Sequence, residues 1–599
     1  MTRPLLKTTP APLPTRELTV RSLLLGAILA VVLGAANAYL GLYAGMTVSA
    51  SIPAAVLSMA LLRVLGGSTI LENNVVQTVA SAGEAVAAGA IFTFPALVIL
   101  GERLPLSYWR ITTLSLAGGT MGSLLVVFLR RAFIVEERLA FPEGRACAEV
   151  LRAGAEDSSG AGLLTLGGLV AAILKALQDV VGVLPGVAAS SRWIGGAPIA
   201  LSANLSAALI GVGYILGIEI AVLVLLGGLI AWLVAIPLLS LRHPELRMLA
   251  PAAAATQLWS ADVRYLGVGA MLMGGAATLF RLRHAIARGM REGFRMIRAG
   301  AAAPTRSREE TDLSAGVVLG ATALCVPAIA LIVWRLSGSL TLSLILAAAL
   351  AFIGFFATAV AGYLTGIVGA SNNPVSGVTI IVLLALALLL KFAGLPRALG
   401  AHLAILTGAV VCTAAAMAGD SLHDLATGFH LRATPRALEI AVLCGAMLSA
   451  FLMAPLVNLL IRGYGIAGLP GAGAHALPAP QAFLMAKVAQ GVFQGALPWT
   501  AILAGVLLAA ACVVGDALLE RRRSRWRLPV MPVAIGLYLP FGLGVTIFLG
   551  AVLRAIASRS QLNDARRGTL LAAGLIAGEA LTGVAVGAMI VAGLRLPLL

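Results

Sequence analysis

About sixteen apolar stretches, each close to twenty residues long, follow one another along the chain with short breaks between them. A run of that length crosses the roughly 30 Å hydrocarbon layer of a bilayer as a helix. Inside lipid only a helix or a closed barrel satisfies its own backbone groups, and continuous rather than alternating hydrophobicity selects the helix. The first set of runs lies near 20–43, 46–65, 75–101, 110–130, 161–181, 199–216, 218–241 and 262–280. The second lies near 313–333, 339–362, 374–394, 400–418, 436–461, 498–517, 529–550 and 568–593. The pattern predicts an all-α polytopic membrane protein. Composition agrees, because 60% of the 599 residues are hydrophobic and 11% are charged, against about 25% charged in soluble proteins. Soluble enzymes, disordered chains and fibrous proteins are excluded.

The net charge of +17 sits in the breaks between runs rather than along a polar face, so it marks topology and not a nucleic-acid partner. The cysteines, Cys147, Cys325, Cys412, Cys444 and Cys512, are scattered singly, which gives no disulfide framework and no zinc spacing. Residues 1–19 are rich in Pro, Thr and basic residues and precede an apolar run with no small-residue cleavage site before Asn37, so they are expected to be a cytoplasmic tail and not a signal peptide. The expected organisation is a first transmembrane half over 20–280, a basic cytoplasmic linker over 281–312 and a second transmembrane half over 313–599.

The two halves repeat each other. Tyr39, Leu40 and Gly45 align on Tyr363, Leu364 and Gly369; Ala82-Gly83-Glu84 falls on Ala418-Gly419-Asp420; Pro142, Ala148 and Val150 fall on Pro480, Ala486 and Val488. Segment 130–160 holds five arginines and its counterpart 462–479 one, whereas 182–199 holds one and its counterpart 519–527 five. Basic loops face the cytoplasm, so the reversed bias predicts inverted copies, an arrangement that builds substrate sites near the membrane midplane.

Polar groups within the runs point to an interior. In LENNVVQTVASAGEAVAAGAIFTFPAL (71–97), Asn73, Gln77, Ser81 and Glu84 share one helical face, and such a stripe must meet protein or water at membrane depth. GASNNPVSG (369–377) and GLYAGMTVSASIP (41–53) combine Gly, Ser and Pro between apolar runs, which predicts broken helices with free backbone groups. Glu579 lies deep in the last run. Glu219 lies between two runs, at an expected interface. Asp420, His423 and Asp424 in AGDSLHDLATG fall at the expected end of a run, where a solvated loop is the competing explanation. The histidines form no HExxH or paired spacing, so no catalytic or metal site is expected.

The segments NAYLGLYAGMTVSASIPAAVLSM, ENNVVQTVASAGEAVAAGAIFT, FPEGRACAEVL, NNPVSG, AGDSLHDLATG, LPAPQAFLMA and GLIAGEAL together resemble the oligopeptide transporter (OPT) family, which includes the yellow stripe-like metal-chelate transporters. The resemblance spans nearly the whole chain. It implies about sixteen helices and secondary active transport, usually proton-coupled, of small peptides or peptide-like metal chelates, without an ATPase; the chain has no GxxxxGK[ST]. The family commonly carries Gln and Lys where this chain has His423 and Ala426.

The leading expectation is a proton-coupled importer of a short peptide in a bacterial-type inner membrane, with a metal–chelate substrate as the alternative and a channel or membrane-embedded enzyme as the competing class. Expected substrate-binding residues are Tyr39, Glu72, Asn73, Asn74, Gln77, Ser371, Asn372, Asn373 and Ser376. Glu72 or Glu84 would accept from a peptide's ammonium group. Expected proton-coupling residues are Glu84, the first choice, with Glu579 and Asp420. No cofactor and no nucleic acid is expected; the expected partners are substrate, proton and membrane lipid, with a homodimer as an allowed assembly.

Overall fold

The computed structural model describes residues 17–592, apart from 281–307 and short segments at 46, 48, 155–158, 275, 278–279, 371–372, 374, 471, 474–475, 495–497, 525 and 559–564. Helix α1 (Val20–Ala44) opens on a capping box in which the Thr19 hydroxyl accepts from the Ser22 N–H and the Ser22 hydroxyl accepts from the Thr19 N–H. It stops at Gly45, whose φ of 72° favours a residue without Cβ. There follow α2 (Ser51–Val64), α3 (Ile70–Thr93), the short α4 (Pro95–Ile99), α5 (Tyr108–Arg130), α6 (Pro142–Gly154) and α7 (Ser159–Asp179). A hairpin of β1 (Val187–Ile194) and β2 (Ala197–Asn204) leads into α8 (Ala207–Leu216), α9 (Ile218–Leu229), α10 (Ile236–Ser240), α11 (Pro251–Leu258) and α12 (264–274). The second half contains α13 (Ala315–Ser337), α14 (Leu340–Val368), α15 (Val375–Phe392), α16 (Arg397–Leu431), α17 (Pro435–Tyr464) and α18 (Pro480–Gln494). It closes with α19 (Trp499–Arg521), α20 (Val530–Tyr538), α21 (Phe541–Ala557) and α22 (Ala565–Val591).

Among the described residues, twelve helices are long and apolar enough to cross a membrane, and three shorter apolar helices are Ser51–Val64, Ala207–Leu216 and Phe541–Ala557. The chain is thus an all-α polytopic membrane protein, with departures from the expected runs where Gly and Pro intervene. The run at 46–65 forms helix only from Ser51, as the 14-residue α2. The run at 199–216 begins as β2, because Gly195 and Gly196, both at positive φ, form the two-residue turn that pairs Ile194 with Ala197. The run at 529–550 is split at Pro540 into α20 and α21. The run at 400–418 is longer than expected: α16 continues through AGDSLHDLATG to Leu431, so Asp420, His423 and Asp424 lie inside a helix and not in a solvated loop. Most of the linker, 281–307, lies outside the described residues.

Helices α3 and α16 form the centre. Every residue of α3 from Leu71 to Thr93 is buried, which is how its polar stripe escapes lipid. These two repeat-matched helices run antiparallel: Asn74 packs by Gly428, Gln77 hydrogen-bonds Asp424, and Gly89 lies against Thr413. Antiparallel passage of matching helices is what inverted copies require. The halves also exchange contacts. The Phe141 N–H donates to the Gly366 carbonyl at 2.9 Å, and its repeat counterpart, the Ala479 N–H, donates to the Leu42 carbonyl at 2.8 Å. Phe141 and Ala479 share a left-handed backbone, with φ of 37° and 41°. A strained backbone repeated in both copies marks a junction held by its surroundings.

Candidate functional site

Both long helices that open the halves of the core are interrupted at glycine. Helix α1 ends at Gly45 and α14 ends at Gly369, with φ of 72° and 90°. A Cβ on Gly369 would lie 2.5 Å from the Glu143 carboxylate, and a Cβ on Gly45 would collide with Pro480. The two breaks therefore receive the N-terminal turns of α6 and α18, each from the opposite half, and the Gln481 side-chain amide donates to the Gly45 carbonyl at 3.0 Å. Glu143 and Gln481 are repeat counterparts.

Between the breaks lies a cavity of about 500 Å³, within the range of small-molecule sites. Gly45, Thr47 and Ser49 of the first break, Ala370, Asn373, Val375 and Ser376 of the second, Glu84 of α3, Asp420 of α16 and Gln481 line it; an apolar wall comes from Phe92, Val212, Ile220, Val224, Met531 and Ile535, among others. Glu84, Asn373, Ser376 and Asp420, expected from the sequence, thus meet in one place. Asn373 lies against the bare backbone of Gly419, where a Cβ would be 2.5 Å from its Nδ2, and this seats the amide beside Asp420. Ser371 and Asn372 lie outside the described residues.

A hydrogen-bonded layer supports this wall. The Asp424 carboxylate accepts from the Gln77 amide and, at 3.2 Å, from the Ser51 hydroxyl, which lies 3.1 Å from the Ser81 hydroxyl. Glu84 accepts from the Ala50 N–H at 3.2 Å. Gln77, Ser81 and Glu84 do share a face, whereas Asn73 turns away to donate to the Ser68 hydroxyl at 2.9 Å. Asn74 is buried near Gly428. Glu72 stands in the first turn of α3, where it completes a capping box with Thr69 and pairs with Arg21 at 2.7 Å. Neither Asn73, Asn74 nor Glu72 lines the cavity.

A second polar cluster lies elsewhere. Glu579 accepts from the Ser206 hydroxyl at 2.8 Å and the Ala208 N–H at 2.9 Å, so it caps the start of α8. Lys175 pairs with Asp179 at 3.0 Å and lies 5.8 Å and 5.7 Å from the ring centres of Tyr39 and Tyr43. Tyr39 therefore belongs to this cluster rather than to the cavity wall. Glu219 is exposed. Lys175 and Gln481 were missed as site residues, the former because one cation in an apolar run carries no periodic signal. Gln481 had a signal: its segment matches the repeat at Pro142 and Pro480.

The family profile described as OPT oligopeptide transporter protein matches residues 17–590. A Haemophilus influenzae protein named "Putative oligopeptide transporter" is 36% identical over 592 residues, covering 92% of this chain and 92% of its own length. With a helical membrane architecture, two broken helices and a central cavity already established, these matches are decisive: the chain is an integral multi-pass membrane transporter, not an enzyme, and belongs to the OPT oligopeptide transporter family.

Proposed function

We propose that the protein is a secondary active importer of short peptides or closely related zwitterions, driven by protons across a bacterial plasma membrane. The observation that carries this reading is the meeting of two broken helices and two carboxylates, Glu84 and Asp420, around one cavity at the crossing of inverted copies. Backbone at a helix break presents groups free to bind a ligand, and a carboxylate beside it supplies charge that a proton can remove. In this reading Glu84 is the first-choice proton carrier. Its carboxylate accepts from the backbone of the first break, so loss of its charge on protonation weakens that hold and links proton binding to the geometry of the break. Glu579, in contrast, is committed to capping α8 and ranks behind it.

Reconstituted protein tests this directly. A carrier exchanges labelled for unlabelled peptide in counterflow, whereas an enzyme consumes it. An inwardly directed proton gradient should drive accumulation above equilibrium. Glu84→Gln keeps shape and hydrogen-bonding capacity but removes titration, so exchange should survive while accumulation is lost; accumulation with unchanged pH dependence in the variant would reject Glu84 as the carrier.

A further inference from the structure

We propose that the two repeat-matched acids have different partners: Asp420 takes the positively charged amine of the substrate, and Glu84 holds the first break. This rests on the peptide reading above and adds to it the group that selects a free amino terminus.

The inference comes from a break in the internal symmetry. Helices α2 and α15 start at Ser51 and Val375, which keep the register that places Gly45 on Gly369. The same register places Ala50 on Pro374. Ala50 gives its N–H to the Glu84 carboxylate at 3.2 Å; proline has no N–H to give, so the matching bond to Asp420 cannot form. Among the described residues Asp420 has no hydrogen-bond partner, and it is partly exposed where it lines the cavity, whereas Glu84 is 2% exposed.

The surroundings select the kind of ligand. Among the described residues the cavity lining contains Glu84 and Asp420 and no Lys, Arg or His. The carboxylates around Asp420 are Glu84 from α3, Glu143 from α6 and Asp424 from its own helix. The imidazole of His423 is turned to Glu143, 4.0 Å away. Among the described residues two further acceptors in the lining are without partners, Asn373 Oδ1 and Gln481 Oε1, and Gln481 is 4% exposed. A primary ammonium has three donors and no acceptor. One carboxylate and two amide oxygens match it in number and sign, and an acidic ligand would meet like charge on both acids.

The test uses the full-length protein in lipid nanodiscs with alanine peptides of two to five residues and their N-acetylated forms, with binding read by titration. A charge-assisted hydrogen bond lost on acetylation should weaken wild-type binding by on the order of 10- to 100-fold. Asp420→Asn should bring that ratio close to one, whereas Glu84→Gln should keep it. The wild-type comparison of free and acetylated peptides gives a readout if Asp420→Asn fails to fold. A ratio unchanged in Asp420→Asn overturns the assignment, as does equal wild-type binding of free and acetylated peptides. Wild-type protein that binds none of the free peptides overturns the peptide reading itself, a result distinct from the others.

Discussion

At the scale of single residues, burial and bonding separate groups that the sequence places side by side. Glu72 and Glu84 both lie in one polar segment, yet Glu72 is spent on Thr19, Arg21 and the start of α3, and Glu84 faces the cavity. Glu72→Gln should therefore lower stability by about 1 kcal/mol through the weakened cap and a pair whose Arg21 partner is 41% exposed. Substrate affinity should stay unchanged, as thermal unfolding and titration would show; a loss of affinity would return Glu72 to the site. Asn373→Ala should weaken substrate binding by about 1–3 kcal/mol, the range for leaving a buried partner unsatisfied. Full affinity in a folded Asn373→Ala protein would mean that this amide only supports the break.

Among elements, small residues set how closely helices approach, since in lipid they associate through packing and hydrogen bonds. A Cβ on Gly83 would lie 2.6 Å from Ala30 Cβ and 2.7 Å from Ser449 Oγ, so this one glycine lets α3 pack between α1 and α17. Gly83→Leu should push α3 from both neighbours. Overpacking of a close-fitted core costs about 1–3 kcal/mol or more, and here it also shifts Glu84. The expected result is loss of a monodisperse peak in size-exclusion chromatography, or, if the protein folds, loss of exchange. Normal exchange would show that the α3 junction can relax.

For the whole molecule, ion pairs and hydrogen bonds mark the two faces. Arg130 with Asp312, Glu17 with Thr434 and Arg21 with Glu72 gather at one face. Leu106 with Asn458 and Lys391 with Val492 lie at the other. The reversed arginine bias assigns the first face to the cytoplasm. Single cysteines in a cysteine-free background should then label from the cytoplasmic side at 130–160 and 519–527, as at the start of α1 and within 281–312, and from the opposite side at 100–107, at 465–479 and at the end of α22, where the Tyr464 hydroxyl at the far end of α17 donates to the Gly583 carbonyl. Labelling of 130–160 and 519–527 from opposite sides would contradict the inverted arrangement.

The sequence by itself determined the class of the protein, the position of most helices, the duplication and the breaks at Gly45 and Gly369, because each rests on local chemistry: apolar runs of bilayer length, turn residues and matching segments. It also marked Glu84, Asn373, Ser376 and Asp420, since a polar group in an apolar run needs a reason close at hand. What only the tertiary structure decided is which polar groups face a ligand and which face each other. Asp424 sits one turn from Asp420 on the same helix, yet Gln77 and Ser51 occupy it. Tyr39 aligns with its repeat partner yet stacks with Tyr43 at 5.9 Å, beside Lys175. Gln481 reaches the first break from more than four hundred residues away in the chain. Those partners are brought by helices distant in sequence, and the antiparallel crossing of α3 and α16 puts them within hydrogen-bond reach, so no local pattern along the chain could have carried the information.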